Sequence, residues 1–488
     1  MTRTSRLLAL AGTLTLSASA VWAGADRSRP PSPEPPRPLT LPAVTSHTLQ
    51  NGLPVRMAPM REVPVVEVVL VIRAGAAADP LDRPGLASMV ADMLDEGAGG
   101  SDALQLADAV DFLGADLSTG ASWDATTIRL HVPVSRLGEA LGLMADVAQR
   151  PAFGSADLER LRREALTGIL QARDQPRRIA ALALARAVFG KAHRYGLPLD
   201  GDAPSVASFQ TSDLQRFHAD YYHPENAGLV VAGDVDAATL LPLLERSFGA
   251  WPRGRGASTA MPAPRQLRER RVVLVDRPGA AQSVLRLGRV GPPRDTPNQV
   301  EIEVMNTLLG GSFTSRLNDN LREQHGYSYG AFSGFDYRRV AGAFQAASDV
   351  QTSVTADALR EFVKELTRIR TRASAEEVER ARNYLAYGYA QDFETTRQMA
   401  ARLAEQWLYG LPEDTFSTFV PRALAVGGAQ VEATARGIID PGKLAIVIVG
   451  DRSKVEGGVA ALGLGPIDVL TVDDLLGPAP RLDEPPGR

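Results

Sequence analysis

Two side chains in the second half of the sequence, Arg322 and Tyr329, are suited to bind a carbonyl oxygen. We expect Arg322 at the end of a helix and Tyr329 just inside the strand that follows. A guanidinium group and a phenol both donate hydrogen bonds, and donors directed at one oxygen stabilise the negative charge that develops there during acyl transfer. This stretch is therefore a candidate for contact with a ligand. The alternative is a helix-end cation favoured by the helix dipole and a half-buried strand aromatic.

Length and composition exclude several classes of protein. A chain of 488 residues is long enough for roughly three or four packing units with large cores. Its 53 basic and 57 acidic residues give a formal net charge of −4, so a nucleic-acid or anionic-membrane partner is not indicated. The chain contains no cysteine, which excludes disulfides and thiolate nucleophiles.

The N-terminal segment has the pattern of an export signal. Arg3 and Arg6 precede an apolar run at residues 7–16, and small residues follow it. We predict a signal peptide at residues 1–23 and a periplasmic or secreted protein. The alternative, a membrane anchor, is disfavoured because the run is shorter than the ~20 residues a span needs. No integral membrane segment is expected after cleavage.

The remainder predicts a duplicated fold. Two apolar strands end in the same dipeptide, Gly233-Asp234 and Gly450-Asp451, and a similar order of strands and helices precedes each. We predict the α+β class, with two duplicated α/β-sandwich halves that form a clamshell. Each half has a mixed or antiparallel sheet with helices packed on it.

The boundaries of these parts follow from proline, glycine and the strand patterns. They are a proline-rich tether at 24–44, an N-terminal half at 45–250, a linker at 251–270, a C-terminal half at 271–465 and a tail at 466–488.

Several short motifs occur in an order typical of one peptidase family. They are Asn51-Gly52-Leu53, Arg73-Ala74-Gly75, Gly85-Leu86-Ala87, Phe217 with residues 222–226, the two Gly-Asp dipeptides, and the stretch from Leu321 to Tyr329. From about Thr45 to Asp451 the sequence therefore resembles the pitrilysin/insulinase family of zinc peptidases, which includes mitochondrial processing peptidase.

The resemblance also locates a zinc motif that this chain has lost. Active members carry H-x-x-E-H on the helix after Gly-Leu-Ala, and a Glu on a later helix completes the zinc site. Here Ser88 and Asp92 stand at the two His positions, Ala91 at the general base and Gly168 at the third ligand. These residues cannot form a zinc site. Asp92 and Glu96, one helical turn apart, are interpreted as part of a solvated helix face. The alternative is that the two carboxylates weakly bind a hard cation.

The resemblance implies a role that depends on a partner. In the family, the Arg and Tyr matched by Arg322 and Tyr329 reach across to help bind substrate, and some bacterial members are heterodimers that divide zinc and this pair between two chains. We therefore expect a non-catalytic subunit without a cofactor of its own. Its partners would be a zinc-bearing homologous subunit and unfolded peptides. The alternative is a homodimeric, non-enzymatic peptide-binding or assembly protein with the same fold; an independent hydrolase has no supporting motif.

Overall fold

The computed structural model describes residues 34, 36, 39–254 and 261–480. The predicted signal peptide, most of the tether and the last residues of the predicted tail lie outside the described residues. Within the described ranges, no helix combines the length and the apolar character that crossing a bilayer requires.

Fourteen strands of the described chain form two six-stranded sheets and a small hairpin. The strands are β1 Thr45–Thr48, β2 Pro54–Pro59, β3 Val65–Ile72, β4 Gly97–Ala98, β5 Ser101–Asp102, β6 Asp116–Ala121, β7 Thr126–Pro133, β8 Ala227–Gly233, β9 Arg271–Asp276, β10 Gln282–Val290, β11 Ser328–Asp336, β12 Ala343–Gln351, β13 Ala445–Gly450 and β14 Ile467–Leu470.

The two sheets have the same plan. The strand orders are β1-β2-β8-β3-β7-β6 and β14-β9-β13-β10-β12-β11. In each, one parallel pair (β2 with β8, β9 with β13) adjoins three antiparallel pairs that continue to the edge. Only the first strand in each order differs, because β1 is antiparallel to its neighbour and β14 is parallel. The predicted fold class, two α/β halves with mixed sheets, is confirmed.

Helices cover both faces of each sheet. They are α1 Leu86–Met93, α2 Ala103–Phe112, α3 Leu137–Gln149, α4 Ser155–Ala172, α5 Pro176–Phe189, α6 Ala203–Ser208, α7 Thr211–Tyr221, α8 Ala237–Phe248, α9 Gln299–Asn306, α10 Arg316–Asn318, α11 Thr355–Arg368, α12 Ala375–Gly388, α13 Thr396–Tyr409, α14 Phe419–Ala425, α15 Gly428–Ile438, α16 Arg452–Ala461 and α17 Val472–Leu476. Two π-helical turns, Thr307–Gly311 and Asp319–Gln324, extend α9 and α10.

The helical periodicity of residues 155–189 predicts one long helix, but the structure has two. Pro176 occupies the first turn of α5, where a missing backbone N–H costs nothing, and the chain turns at residues 173–175 before it. The hydroxyl of Ser155 makes this residue a candidate N-cap by sequence, but it is already helical and Gly154 takes the cap position without a side-chain bond. The break matters because it sends α5 away from its own sheet.

Helices α5 and α13 are exchanged between the halves. Ile179, Ala183 and Leu184 of α5 are buried against strands of the second sheet, including Val273 and Val447. In the reciprocal contact, Met399, Leu403 and Trp407 of α13 are buried against the first sheet, including Val69 and Val230. Both faces of each central strand are therefore buried, which accounts for their nearly uninterrupted apolar sequences.

Matching ion pairs fix the start of each exchanged helix. Arg177 Nε of α5 lies 2.6 Å from Asp349 Oδ2 on β12. Arg397 Nη2 of α13 lies 2.9 Å from Asp116 Oδ2 on β6. Both pairs are largely exposed, so each contributes little stability and mainly sets the helix position.

The second half extends past its predicted end at residue 465. Strand β14 pairs in parallel with β9, from Ile467 with Val272 to Leu470 with Val275. Helix α17 follows, and its Leu475 is 1% exposed against α5. Residues 467–476, expected as a tail, thus belong to the fold. At the predicted linker, Trp251 is 3% exposed and belongs to the first core.

Candidate functional site

Arg322 lies in the π-helical turn Asp319–Gln324, directly before strand β11. Its guanidinium carbon lies 4.5 Å from the ring centroid of Phe313, and its Nε lies 3.5 Å from Glu323 Oε1. The side chain is 36% exposed. A cation held by one exposed ring and one neighbouring carboxylate keeps donors free for a ligand. π-Helical turns recur at functional sites because they re-aim side chains.

Tyr329 lies on the outer strand of the second sheet and is 93% exposed. A β-bulge between Ser328 and Ala331 breaks the pairing of β11 with β12 at this residue. Bulges bend an edge strand and redirect its side chains. A pocket of about 270 Å³ adjoins it, lined also by Phe332, Arg286 and Asp349.

The structure places Arg322 and Tyr329 on one turn and the strand that leaves it. Within the described ranges, no hydrogen bond or ring contact joins the two side chains, and no protein group accepts a hydrogen bond from the Tyr329 hydroxyl, which is open to solvent. Tyr327, between them, is held by its backbone N–H, which donates to Leu321 O over 2.9 Å. The pair is therefore positioned by the backbone, and its side chains face solvent.

The residues that the resemblance matches to the family's zinc positions line a different cavity. Ser88 and Asp92 on α1 and Gly168 on α4 border a space of about 700 Å³, which is also walled by α5. Ala91, three residues after Ser88 on the same helix, is fully buried and does not line this space. The sequence matches four residues on two separate helices to the family's zinc-site positions. Three of these four residues, Ser88, Asp92 and Gly168, line one cavity.

These residues do not fit a zinc ion. Ser88 offers a hydroxyl 3.4 Å from Leu199 O, and Gly168 offers no side chain, which leaves the Asp92 carboxylate alone. Glu96, considered with Asp92 as a cation pair, is instead ion-paired with Arg160. In the described part of the chain, no group of three or more His, Asp or Glu could hold a metal ion. Zinc needs three or four such ligands.

The N-terminus of α1 is fixed by a buried ion pair. Asp79 Oδ1 and Oδ2 each accept a backbone N–H over 2.8 Å, from Ala87 and Gly85. Asp79 Oδ2 also lies 2.6 Å from Arg194 Nη2, and both side chains are almost fully buried. Because Arg194 also donates to the carbonyl oxygen of Pro198, this pair holds the cavity wall at residues 197–202 against α1.

Arg338 reaches the same cavity from the second half, and sequence reasoning missed it. Its guanidinium carbon lies 4.1 Å from the ring centroid of Trp123 and 4.3 Å from that of Tyr195. Next to it, the Asp124 carboxylate accepts the Tyr409 hydroxyl over 3.0 Å. A cation buried between two rings is worth about 2 kcal/mol. The sequence shows only an Arg338-Arg339 dipeptide in a hairpin. It does not indicate that the Arg338 side chain packs between two aromatic rings more than a hundred residues away.

Removing the charge of Asp92 is expected to stabilise the protein increasingly as the pH rises above about 4, with the full gain above pH 6. Asp92 is exposed to the cavity, but partial desolvation by the surrounding wall, then the carboxylates of Asp200 and Asp95, raise the pKa of Asp92 from 3.8 to about 6. The folded state holds this proton more tightly than the unfolded chain. The stability from this site is therefore complete at low pH and is lost as the pH rises from about 4 to above 6.

Asp92→Asn should thus raise the melting temperature at pH 8 and leave it unchanged at pH 4. Solvent reaches the carboxylate, so we expect a gain of roughly 1 kcal/mol and not the full value of the shift. Thermal melting at both pH values measures it. Asp108→Asn, at an exposed α2 carboxylate, is the control; an equal gain in both variants would contradict the prediction.

Rebuilding the motif is expected to create a zinc site. The variant Ser88→His, Ala91→Glu, Asp92→His and Gly168→Glu should bind one zinc ion per chain because three of these positions line one cavity. A side chain at Gly168 has open space, since no atom lies within 4 Å of its Cβ direction. Metal analysis after gel filtration measures the ratio. If zinc binds no better than to the native chain, the alignment of α1 with α4 is wrong.

Comparisons with known proteins identify the family. The family model Insulinase (Peptidase family M16) matches residues 58–200, and the Peptidase M16 inactive domain matches residues 208–385. An uncharacterized zinc protease of Mycobacterium bovis is 30% identical over 336 residues, which cover 68% of this chain and 75% of that protein. The uncharacterized zinc protease YmxG of Bacillus subtilis is 25% identical over 290 residues, 59% of this chain and 69% of YmxG.

Solved structures share the fold. A peptidase M16 inactive domain from Pseudomonas fluorescens superposes with a TM-score of 0.79 at 25% identity, covering 84% of this chain and 98% of that domain. A protease from Helicobacter pylori gives 0.78 at 19% identity, over 84% of this chain and all of that one, which shows the fold alone. Two matched family segments, and a 30% identical relative aligned over more than two thirds of the chain, show that the protein belongs to the insulinase (M16) peptidase family.

Proposed function

We propose that the chain is the non-metal subunit of a heterodimeric periplasmic zinc peptidase, in which it holds the peptide and supplies Arg322 and Tyr329 to the partner's zinc site. The observation that carries this proposal is an exposed donor in a chain whose own cavity does not suit zinc. The Tyr329 side chain is 93% exposed, whereas the cavity at Ser88 and Asp92 has too few ligands for a metal. Such an arrangement is useful when the metal belongs to another chain.

The relatives support a division of this kind. The mycobacterial and Bacillus proteins are named zinc proteases, whereas the Pseudomonas structure is titled an inactive domain. Proteins similar to this chain are thus described both as zinc proteases and as an inactive domain. This chain combines the family fold with a cavity that does not fit zinc.

Strand β11 is suited to hold an extended peptide. It is the outer strand of its sheet, and Tyr329 and Phe332, which is 49% exposed, flank its open edge. An extended peptide can add a strand to such an edge through backbone hydrogen bonds. A peptide bound there would bring its carbonyl groups beside the Tyr329 hydroxyl and the Arg322 guanidinium, which would donate to one of them.

The test is to purify this chain alone and together with an H-x-x-E-H homologue encoded in the same genome. We expect a stable complex in gel filtration, about one zinc per complex, and peptide cleavage faster than by the homologue alone. Stoichiometric zinc or strong cleavage by the lone chain would overturn the proposal. A homodimer that binds peptide and ignores the homologue would favour a non-enzymatic peptide-binding protein instead.

A further inference from the structure

A second pocket, which we call the polar pocket, lies wholly within the C-terminal half. It has a volume of about 400 Å³ and is bordered by the two π-helical turns and by α11 and α12. The charged and amide residues among those that line it are Arg316, Asp319, Asn320, Glu323, Gln324, Glu365, Arg368, Glu377 and Arg380. None of these is one of the lost zinc positions or the Arg322 and Tyr329 pair.

Three buried side chains of the polar pocket each leave one polar atom without a partner. Arg316 is 6% exposed, Asn320 is 3% exposed and Glu365 is 1% exposed. The unpartnered atoms are Arg316 Nη1, Asn320 Oδ1 and Glu365 Oε2. An unpaired buried polar group costs about 1–3 kcal/mol, and more when it is charged. Three such atoms on residues that line one pocket favour the binding of a polar ligand there.

The other atoms of these side chains fix the orientation of the free ones. Arg316 Nε and Nη2 donate to the two oxygens of Glu377 over 2.7 and 2.8 Å, which leaves Nη1 as a free donor. Asn320 Nδ2 donates to Glu361 over 2.8 Å and to Glu365 Oε1 over 3.0 Å. The amide cannot be reversed, because its oxygen would then face two carboxylates. Asn320 Oδ1 and Glu365 Oε2 are thus free acceptors.

A single ligand that pairs with all three atoms must accept one hydrogen bond and donate at least two. A metal ion would bind the two oxygens but would leave Arg316 Nη1 without an acceptor. The described residues also offer no group of three acidic or His ligands. An anion would satisfy only Arg316. A molecule with a positive ammonium group and a nearby carboxylate satisfies all three atoms. Its opposite charges also match a lining with four carboxylates and three guanidinium groups.

We propose that the polar pocket binds a small zwitterion, a free amino acid or a dipeptide. The α-ammonium group donates to Glu365 Oε2 and Asn320 Oδ1, and the carboxylate accepts from Arg316 Nη1. The three atoms are shielded from bulk water in this structure, so entry requires lining side chains to rotate. Arg368 is suited to this movement because it is 46% exposed and its Nη1 is 3.5 Å from Glu365 Oε1. The site does not depend on the proposed peptidase role.

Ligand analogues test the proposal on the unaltered chain. The probes are L-alanine and L-alanyl-L-alanine, with N-acetyl-L-alanine, which lacks the ammonium, and L-alaninamide, which lacks the carboxylate. We expect calorimetric binding and a higher melting temperature with L-alanine or the dipeptide, and the stronger of the two identifies the ligand. Loss of one charge-assisted contact should weaken binding about tenfold or more. If no probe binds at millimolar concentration, or N-acetyl-L-alanine binds equally well, trapped water fills the pocket and the proposal is wrong.

A matched pair of substitutions on α11 locates the site. Glu365→Gln keeps the shape and one acceptor but removes the charge, and should weaken binding about tenfold or more. Asp357→Asn makes the same chemical change on the same helix, where the carboxylate pairs only with exposed Arg360 over 2.6 Å, and should bind as the native chain does. Equal binding by both variants would overturn the proposed site. If Glu365→Gln does not fold, the analogue series decides.

Discussion

Replacing Tyr329 by Phe, or Arg322 by Ala, in the complex with the zinc-bearing homologue is expected to lower kcat/KM for peptide cleavage about 100-fold. A donor directed at the developing oxyanion contributes about 3 kcal/mol to the transition state. The stability of this chain should not change, because Tyr329 is 93% exposed and Arg322 contacts only Phe313 and Glu323 through its side chain. Steady-state kinetics and thermal melting of each variant measure the two effects.

Two exposed residues of the same types serve as controls. Tyr384→Phe on α12 removes a hydroxyl from a tyrosine that is 57% exposed, and Arg360→Ala removes an exposed arginine from α11. Both should retain native turnover, and complex formation should be retained in all four variants. If Tyr329→Phe and Arg322→Ala also leave turnover unchanged, the pair is structural and the proposed function loses its chemical basis.

Gly228→Ala is expected to destabilise the protein by about 3 kcal/mol, a large value for adding one methyl group. A Cβ at this position of β8 would lie 2.3 Å from Trp407 Cε2. Trp407 cannot easily move away, because its ring is covered by Arg73, whose guanidinium carbon lies 4.0 Å from the ring centroid. Helix α13 would have to lift from the first sheet. Urea unfolding followed by fluorescence measures the change.

Gly120→Ala is the matched control, because Gly120 also lies within a strand and no atom lies within 4 Å of its Cβ direction. It should change stability by less than about 0.5 kcal/mol. The double variant Gly228→Ala with Trp407→Leu should lose less than the sum of the two single losses, since the smaller side chain gives the methyl group space. Native stability of Gly228→Ala would show that α13 does not lie against β8 in solution.

Local sequence patterns were sufficient for most strands and for the family. The β-branched run at Val65–Ile72 predicts β3 with its observed bounds, and the Asn51-Gly52 turn predicts the hairpin of β1 and β2. Gly52 has a φ of 92°, which glycine adopts without strain. The duplication was visible because both β8 and β13 are buried on both faces and end in the same dipeptide.

Contacts between distant parts of the chain were not predictable in the same way. The apolar face of α5 indicates burial, but the sequence does not specify which sheet receives it, and the break at Pro176 was missed. Strand β14 was assigned to a tail, because four residues at 467–470 are too few for a periodic pattern to appear. The polar pocket depends on hydrogen bonds between side chains that only the fold brings together, such as Asn320 with Glu365.

The reciprocal exchange of α5 and α13 has a consequence for the origin of the chain. Two copies of a single half, each lending one helix to the other's sheet, would form a closed dimer with twofold symmetry, and neither copy would be stable alone. Gene duplication and fusion of such a subunit would give the present arrangement without a new interface. Once fused, the two halves could diverge independently. This accounts for the β-bulge at Tyr329 in the edge strand β11, which the equivalent edge strand β6 of the first half does not have. The ancestor implied by this fold is a symmetric swapped dimer of one half-length chain.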